Sequence, residues 1–377
     1  MVGRSCSLPA MAWQRVDFPL YSERKMDFES FLQRIPKVDL HCHLVGTLRP
    51  ATLAQLAQKH GLALPRPAQH LYDFTDFYDF LDVLRLAAAS IRTGDDFSRV
   101  TYEALQDGHA AGNLRHAELL FNPQYFYPHG VSYRTMVDGM LDGMAGAQRD
   151  FNVSALLVAS FDRMIDAAGA MQILDDVLAY RRPQVAGIGL DGAERSGPPQ
   201  RFAEVYARAG AAGLKRTAHV CEDNQTLQEA PPQHYAICHD LLKCDRLDHG
   251  YNLLADPAMV VRARDEGLYF NTCTITSVTR NLERRRASIA KMVDLGLKVT
   301  VNTDDPLMFK TDIAHSYQVL FKSQPSWGVE RARAFSLDGL AASWLDDGAK
   351  AALTASFRAE LDGFERALAP ASLRGSQ

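Results

Sequence analysis

Eight short β-rich runs, most of them followed by a helix-like segment, constrain this chain more than any other feature. The runs are 37–43, 114–121, 153–160, 185–192, 214–222, 246–252, 268–274 and 298–305. Segments such as 131–149, 256–266 and 284–295 lie between them and carry apolar residues at helical spacing. Strands that alternate with helices specify a parallel sheet, because each crossover helix returns the chain in the same direction. Eight such units predict α/β closure into a (β/α)8 TIM barrel; six would have predicted an open doubly wound sheet. The 377 residues suit that fold, which takes ~250 residues before insertions.

The longest connection is informative. About seventy residues separate the first run from the second, with helix-like stretches at 50–60, 77–91 and 97–111. An insertion after a barrel strand emerges on the C-terminal face, where active sites of this fold lie. Residues 50–112 are therefore expected to form a helical lid within one barrel domain spanning 31–377, closed by helices in 329–368. Residues 1–30 are expected to be a leader of uncertain order, with Met11 and Met26 as alternative starts. Apolar residues make up 47% of the chain, enough to fill a barrel core. A net charge of -4 argues against nucleic acid or an acidic membrane surface as a partner. No apolar run approaches the roughly 20 residues that span a bilayer, and no secretory pattern opens the chain. The six cysteines, Cys6, Cys42, Cys221, Cys238, Cys244 and Cys273, include no C-x-x-C pair, and the expectation is reduced thiols in a cytoplasmic protein.

Metal-competent side chains recur at the ends of these runs. His41 and His43, at i and i+2 of the first run, share one face of a strand, and in a barrel that face is the interior. His219 lies near the end of the fifth run, His249 in the sixth, and Asp304 and Asp305 at the end of the eighth. His41, His43, His219 and Asp304 make an N3O donor set for one Zn2+ per chain, and such a site lowers the pKa of bound water toward ~7. Glu222, three residues after His219, is placed to act as a general acid. His249 is placed to orient or deprotonate the water, and Asp305 to hydrogen-bond a substrate if the chain bends at Pro306.

Gly187-Ile188-Gly189-Leu190-Asp191-Gly192 matches the dinucleotide fingerprint G-x-G-x-x-G, but Pro198-Pro199 follow it and no acid lies about twenty residues on. These glycines are expected instead to let a substrate approach the backbone. Lys215 and Arg216 sit toward the start of the fifth run, away from the active face, so a lysine-bridged pair of metals is not expected.

Taken in chain order, His41-Cys42-His43-Leu44, Arg115-His116-Ala117-Glu118 with Asn122-Pro123, Leu190-Asp191-Gly192-Ala193-Glu194, His219-x-x-Glu222, Asp248-His249-Gly250 and Asn302-Thr303-Asp304-Asp305-Pro306 resemble the adenosine and adenine deaminase family of the amidohydrolase superfamily. The resemblance runs from about Pro36 to about Leu320, and Asn302 to Pro306 is its most specific piece. It implies a hydrolase that replaces the amino group of an adenine-type purine by oxygen and releases ammonia. It implies zinc on His41, His43, His219 and Asp304, proton donation by Glu222, and hydroxide steering by His249. Asp305 and the backbone N–H of Gly192 would hold other ring nitrogens. The chain departs from the family at Val45, where adenosine-selective members often carry an acid that reaches the ribose. It departs also at Gly189, at Val220-Cys221, and at Thr272 to Ser277, which match the usual Cys-Pro-x-Ser-Asn only loosely. The metal and acid–base set is intact while pocket positions differ, so a nucleoside, a free base and an N6-substituted adenine all remain open as substrates. Two other readings stand beside this one: hydrolysis of an amide, lactone or phosphoester on the same barrel, and a non-catalytic binding protein on this scaffold. The second would be marked by loss of a ligand or of Glu222, and neither is missing.

Overall fold

The computed structural model describes residues 26–275 and 282–368. Its strands are β1 (Lys37–His43), β2 (Leu114–Phe121), β3 (Ser154–Asp162), β4 (Val185–Asp191), β5 (Lys215–Arg216), β6 (His219–Val220), β7 (Leu247–His249), β8 (Tyr269–Cys273) and β9 (Lys298–Asn302). Every pairing is parallel; β1 to β5 follow one another in one ladder and β6 to β9 in a second. Backbone hydrogen bonds cross both seams. Thr217 N–H donates to the Ile188 carbonyl at 3.0 Å, and Asp248 N–H to the Ala218 carbonyl at 2.9 Å. At the other seam Cys42 bridges to Asp304, His43 N–H donates to the Asp304 carbonyl at 2.8 Å, and the Asn302 side chain accepts from Leu40 N–H at 2.8 Å. The strands thus follow in ring order, the (β/α)8 arrangement expected.

β5 and β6 are two halves of one expected strand. Side chains take carbonyls at this break, one at Thr217 between the halves and one at His219 in β6. Tyr206 Oη donates to the Thr217 carbonyl at 2.6 Å, and the fully buried Arg163 donates to that of His219 at 2.5 Å. β7 is also shorter than the expected 246–252, because the chain turns at Gly250 (φ 89) into a short helix at Tyr251–Ala255.

The strands are buried along most of their length, as expected for a parallel sheet covered by helices. The β1–β2 connection holds helices that we label, after α1 (Phe28–Arg34), as α2 (Pro50–Lys59), α3 (Phe77–Ser90) and α4 (Gly94–Gly112). Asp76 caps α3 by accepting from Tyr78 N–H at 2.8 Å, and Thr93 with Asp96 forms a capping box on α4. α4 lies against the helix Tyr133–Phe151, where a Cβ on Gly139 would come within 2.9 Å of the Gly94 Cα. Asp27 caps α1, and Met26 bridges to Leu368, so the two described ends of the chain meet. Of the expected leader, residues 1–25 lie outside the described residues, as does Cys6; the other five cysteines are free and buried. Among the described residues no helix is long and apolar enough to cross a membrane.

Candidate active site

The strand ends converge. The imidazole of His41 lies 5.1 Å from that of His43, 4.5 Å from that of His219 and 4.9 Å from that of His249, centroid to centroid. His41, His219, His249 and Asp304 each offer a ligand atom within 4.8 Å of the others. His43 joins them through Nε2, which is 3.3 Å from Nε2 of His219 and 3.4 Å from Oδ1 of Asp304. All four expected ligands therefore meet, and His249 comes as close as they do.

Burial disfavours imidazolium, pushing His43 down to about 4 and His219 and His249 well below their ordinary value. His41 goes the other way. Burial opposes its cation too, but Asp248 at 3.1 Å and Asp304 at 3.5 Å hold its proton. Among the described residues neither ring nitrogen of His41 makes a hydrogen bond, and Nε2 lies 3.5 Å from Oδ1 of Asp304. Two neutral imidazole nitrogens facing each other, an orphaned third and a carboxylate form a cluster that accommodates positive charge at its centre. A dication fits that centre, and a set rich in imidazole suits a first-row transition metal.

Asp248 stands in the motif Asp248-His249-Gly250, which by itself assigns it no role. Its carboxylate is fully buried, meets Nδ1 of His41 at 3.1 Å and lies 3.7 Å from Nδ1 of His219, while Thr217 Oγ1 and Asn271 Nδ2 donate to it at 2.8 and 2.9 Å. Such a carboxylate fixes ring orientation and the tautomer that leaves Nε2 free. Its place next to His249 hides it in the sequence, because strand alternation puts neighbours on opposite faces. Both residues reach the site because His249 has φ 69, a left-handed conformation that breaks strand alternation. Asp304 (φ 70) and Cys221 (φ 52) break it likewise.

Above the cluster opens a cavity of about 420 Å³, within the range of small-molecule sites. His43, Val45, Gly192, His219, Glu222, His249, Asp304 and Asp305 all line it, and His41 is fully buried beneath. Glu222 is held from behind: its N–H donates to Oε1 of Glu194 at 3.1 Å, and its carbonyl accepts from Asn252 at 3.0 Å. Burial pushes its carboxyl up to about 7, against the opposing pull of Arg285. Asp305 is raised well above the carboxylate range by burial and by Asp304 beside it. Asp191, which ends β4, stands in the motif Leu190–Glu194, which by itself assigns it no role. It accepts from Asn122 at 2.8 Å, and burial with Asp162 nearby raises it to about 8. The expectation that the glycines within 187–192 serve substrate approach needs correction. A Cβ on Gly187 would meet the Lys215 carbonyl at 2.5 Å, and one on Gly189 would meet Ser160 Oγ at 2.5 Å, so these two serve strand packing. Gly192 alone of the three lies on the cavity, at φ 81. Val45 is buried, and shares the cavity wall with Phe74, Phe80, Leu84 and Phe309, all four reaching in from beyond β1 and β9. The loosely matching residues 276 and 277 lie outside the described residues.

Comparison with known proteins gives this geometry its context. A family profile described as adenosine deaminase matches residues 36–359. The chain belongs to the adenosine deaminase family. It is accordingly a hydrolytic deaminase on the metal-dependent amidohydrolase fold. An adenine deaminase of Cupriavidus necator is 33% identical over 339 residues, which cover 88% of this chain and 93% of that one. The crystal structure of an adenine deaminase from Arthrobacter aurescens superposes with a TM-score of 0.77 at 32% identity, covering 87% of this chain and 99% of that one. An amidohydrolase from Burkholderia ambifaria with bound Zn gives a TM-score of 0.81 at 33% identity, covering 93% of this chain and 96% of that one.

In this deaminase Gly46 is a sensitive position. A Cβ there would lie 2.5 Å from the Cα of Asp305, whose backbone cannot give way without moving Asp304. Gly46→Ala is expected to lower kcat/KM by roughly 10²-fold, the effect of a ~1 Å misplacement. Wild-type kinetics in that variant would show that the Asp304–Asp305 turn has room to shift.

Proposed function

We propose that this deaminase hydrolyses the exocyclic C–N bond of an adenine-type purine, with one zinc ion per chain, yielding the 6-oxo purine and ammonia. The observation that carries this reading is Glu222, a buried carboxyl near neutrality on the wall of a cavity floored by the His and Asp cluster. His41, His43, His219 and Asp304 would hold the zinc, as their N3O chemistry favours. Bound there, zinc would supply Lewis acidity and make hydroxide available near neutral pH. The Burkholderia relative with bound Zn supports the choice of metal.

The chain's own groups then divide the work. Glu222, protonated, gives its proton to a ring nitrogen next to the amino-bearing carbon as water oxygen adds there. Neutral His249 orients that water and takes up its proton. Asp305, kept neutral by burial, donates a hydrogen bond to a second ring nitrogen, and the Gly192 N–H to a third. His249 then returns its proton to the amino group and Glu222 takes back the proton of the added oxygen, so the tetrahedral carbon collapses to the 6-oxo purine and releases ammonia. α3, which contributes Leu81, Leu84 and Arg85 to the cavity wall, covers the mouth as a lid.

Within this class the free base adenine has the best support. Val45 cannot hydrogen-bond a sugar hydroxyl, and the Cupriavidus and Arthrobacter relatives are named adenine deaminases. The test is a screen of the zinc-loaded protein against adenine, adenosine, deoxyadenosine, AMP and N6-substituted adenines, with ultraviolet absorbance and released amine recorded. Adenine is expected to exceed adenosine in kcat/KM by roughly tenfold or more. Silence across the panel with zinc bound overturns the purine reading and favours another hydrolysis on this barrel. Two metals per chain would point the same way.

A pH dependence follows. Glu222 serves as an acid only below its raised pKa, so kcat should hold at low pH and fall up to tenfold per unit as pH rises through about 7. A kcat that stays flat to about pH 9 would remove Glu222 from the proton-donating role.

A further inference from the structure

Arg285 was not among the residues that the sequence singled out, yet it lies against the acid. It is 3% exposed, on the helix Leu282–Asp294. One terminal nitrogen is 3.3 Å from Oε1 of Glu222, and Nε donates to Oδ1 of Asp223 at 2.9 Å. The guanidinium carbon sits 4.7 Å from the centroid of the Tyr251 ring, whose hydroxyl is 3.5 Å from Nδ1 of His249. That hydroxyl is itself pinned, accepting from Cys273 N–H at 2.8 Å and donating to the Cys273 carbonyl at 3.1 Å.

Two facts of chemistry give this arrangement a consequence. A guanidinium has donors and no acceptor, so whatever oxygen it touches must present a lone pair. A neutral carboxyl has one such carbonyl oxygen and one hydroxyl. We propose that Arg285 is a positioning residue: it claims Oε1 of Glu222 as the acceptor and so leaves Oε2 as the oxygen that bears the proton. Asp223 balances the charge of Arg285, so the guanidinium orders the acid without forcing it to ionise. Through Tyr251 the same group backs His249, tying the proton donor and the water-orienting imidazole to one rigid support. This inference rests on the role given to Glu222 above.

The test is steady-state deamination of adenine by the zinc-loaded full chain, with Glu222→Gln as control. Arg285→Lys, Arg285→Gln and the double variant Arg285→Gln/Asp223→Asn are compared. The double variant removes a buried charge pair together, which preserves folding where the single Gln change strands Asp223. The expected result in the double variant is a kcat lower by roughly 10- to 100-fold. KM should stay within about threefold, the mark of an interaction used only in the transition state. Arg285→Lys should recover part of kcat, since an ammonium also donates only. A double variant that melts with the wild type and keeps its kcat overturns the proposal. A KM that rises as far as kcat falls, with no recovery by Lys, also overturns it. If the wild type itself fails to turn over adenine, the purine reading falls first and this inference with it.

Discussion

Glu222→Gln is expected to lower kcat by about 10²–10⁴-fold, the contribution of general acid–base catalysis, while zinc content stays at the wild-type level. Gln has the size of Glu, and its carbonyl oxygen still accepts from Arg285, which lies 3.3 Å from Oε1 in the wild type. The backbone bonds to Glu194 and Asn252 do not involve the side chain. What the variant lacks is a proton of carboxylic acidity facing the cavity. KM should change little, and melting should not fall, because burial already penalises the carboxylate. Retention of even a tenth of wild-type kcat would move the acid elsewhere, and Asp191, raised to about 8, would be the next residue to test.

A second large effect belongs to stability. Arg246 is 1% exposed inside the barrel, on the residue before β7, with a terminal nitrogen 2.6 Å from Oε2 of Glu118. It also donates to the carbonyls of Leu40 and Ala342 and lies 3.8 Å from the centroid of Trp344. Glu118 in turn accepts from the Trp344 N–H at 2.5 Å, so the pair ties β2 and β7 to the closing helices. Arg246→Ala leaves that carboxylate buried without its guanidinium partner, and should cost about 3–5 kcal/mol in chemical denaturation at neutral pH. The double change Arg246→Met/Glu118→Met should cost less than either single change, since no charge is stranded. Burial opposes ionisation of Glu118, but Arg246 prevails and holds it below its ordinary value. The pair is therefore intact at neutral pH and weakens as pH falls through that lowered value. A single variant that loses under about 1 kcal/mol would mean that water reaches Glu118 when Arg246 is cut away.

Much of this was legible in the chain because barrel strands carry two signals at once. A run such as Lys37–His43 is apolar enough to be found as a strand, and its last residues announce chemistry. β1 and β2 have the boundaries expected from sequence, 37–43 and 114–121. β5 and β6 could not be separated in advance, because the Thr217 and His219 carbonyls are bonded by Tyr206 and Arg163, which come from other elements. Asp248 was hidden for a different reason. Strand alternation assigns it to the face opposite His249, and only the left-handed φ of His249 brings both to one centre. Arg285 was invisible in principle. It follows no motif, and its meaning comes from lying beside Glu222 and Asp223, 63 and 62 residues away in sequence.

Cys221, His249 and Asp304 share an uphill backbone conformation, of the kind that costs of order 1–3 kcal/mol each when held in place. All three lie at the rim where the strands open into the cavity, so this rim opposes folding and is carried by the rest of the barrel. Heat resistance and catalytic competence are thus set in different parts of the molecule. Selection for tolerance of high temperature should find its gains on the outer helices and in the closing segments, where added stability leaves the rim untouched. Glycine at position 221 would relax the rim itself, at the cost of the freedom that a side chain denies to the backbone beside Glu222.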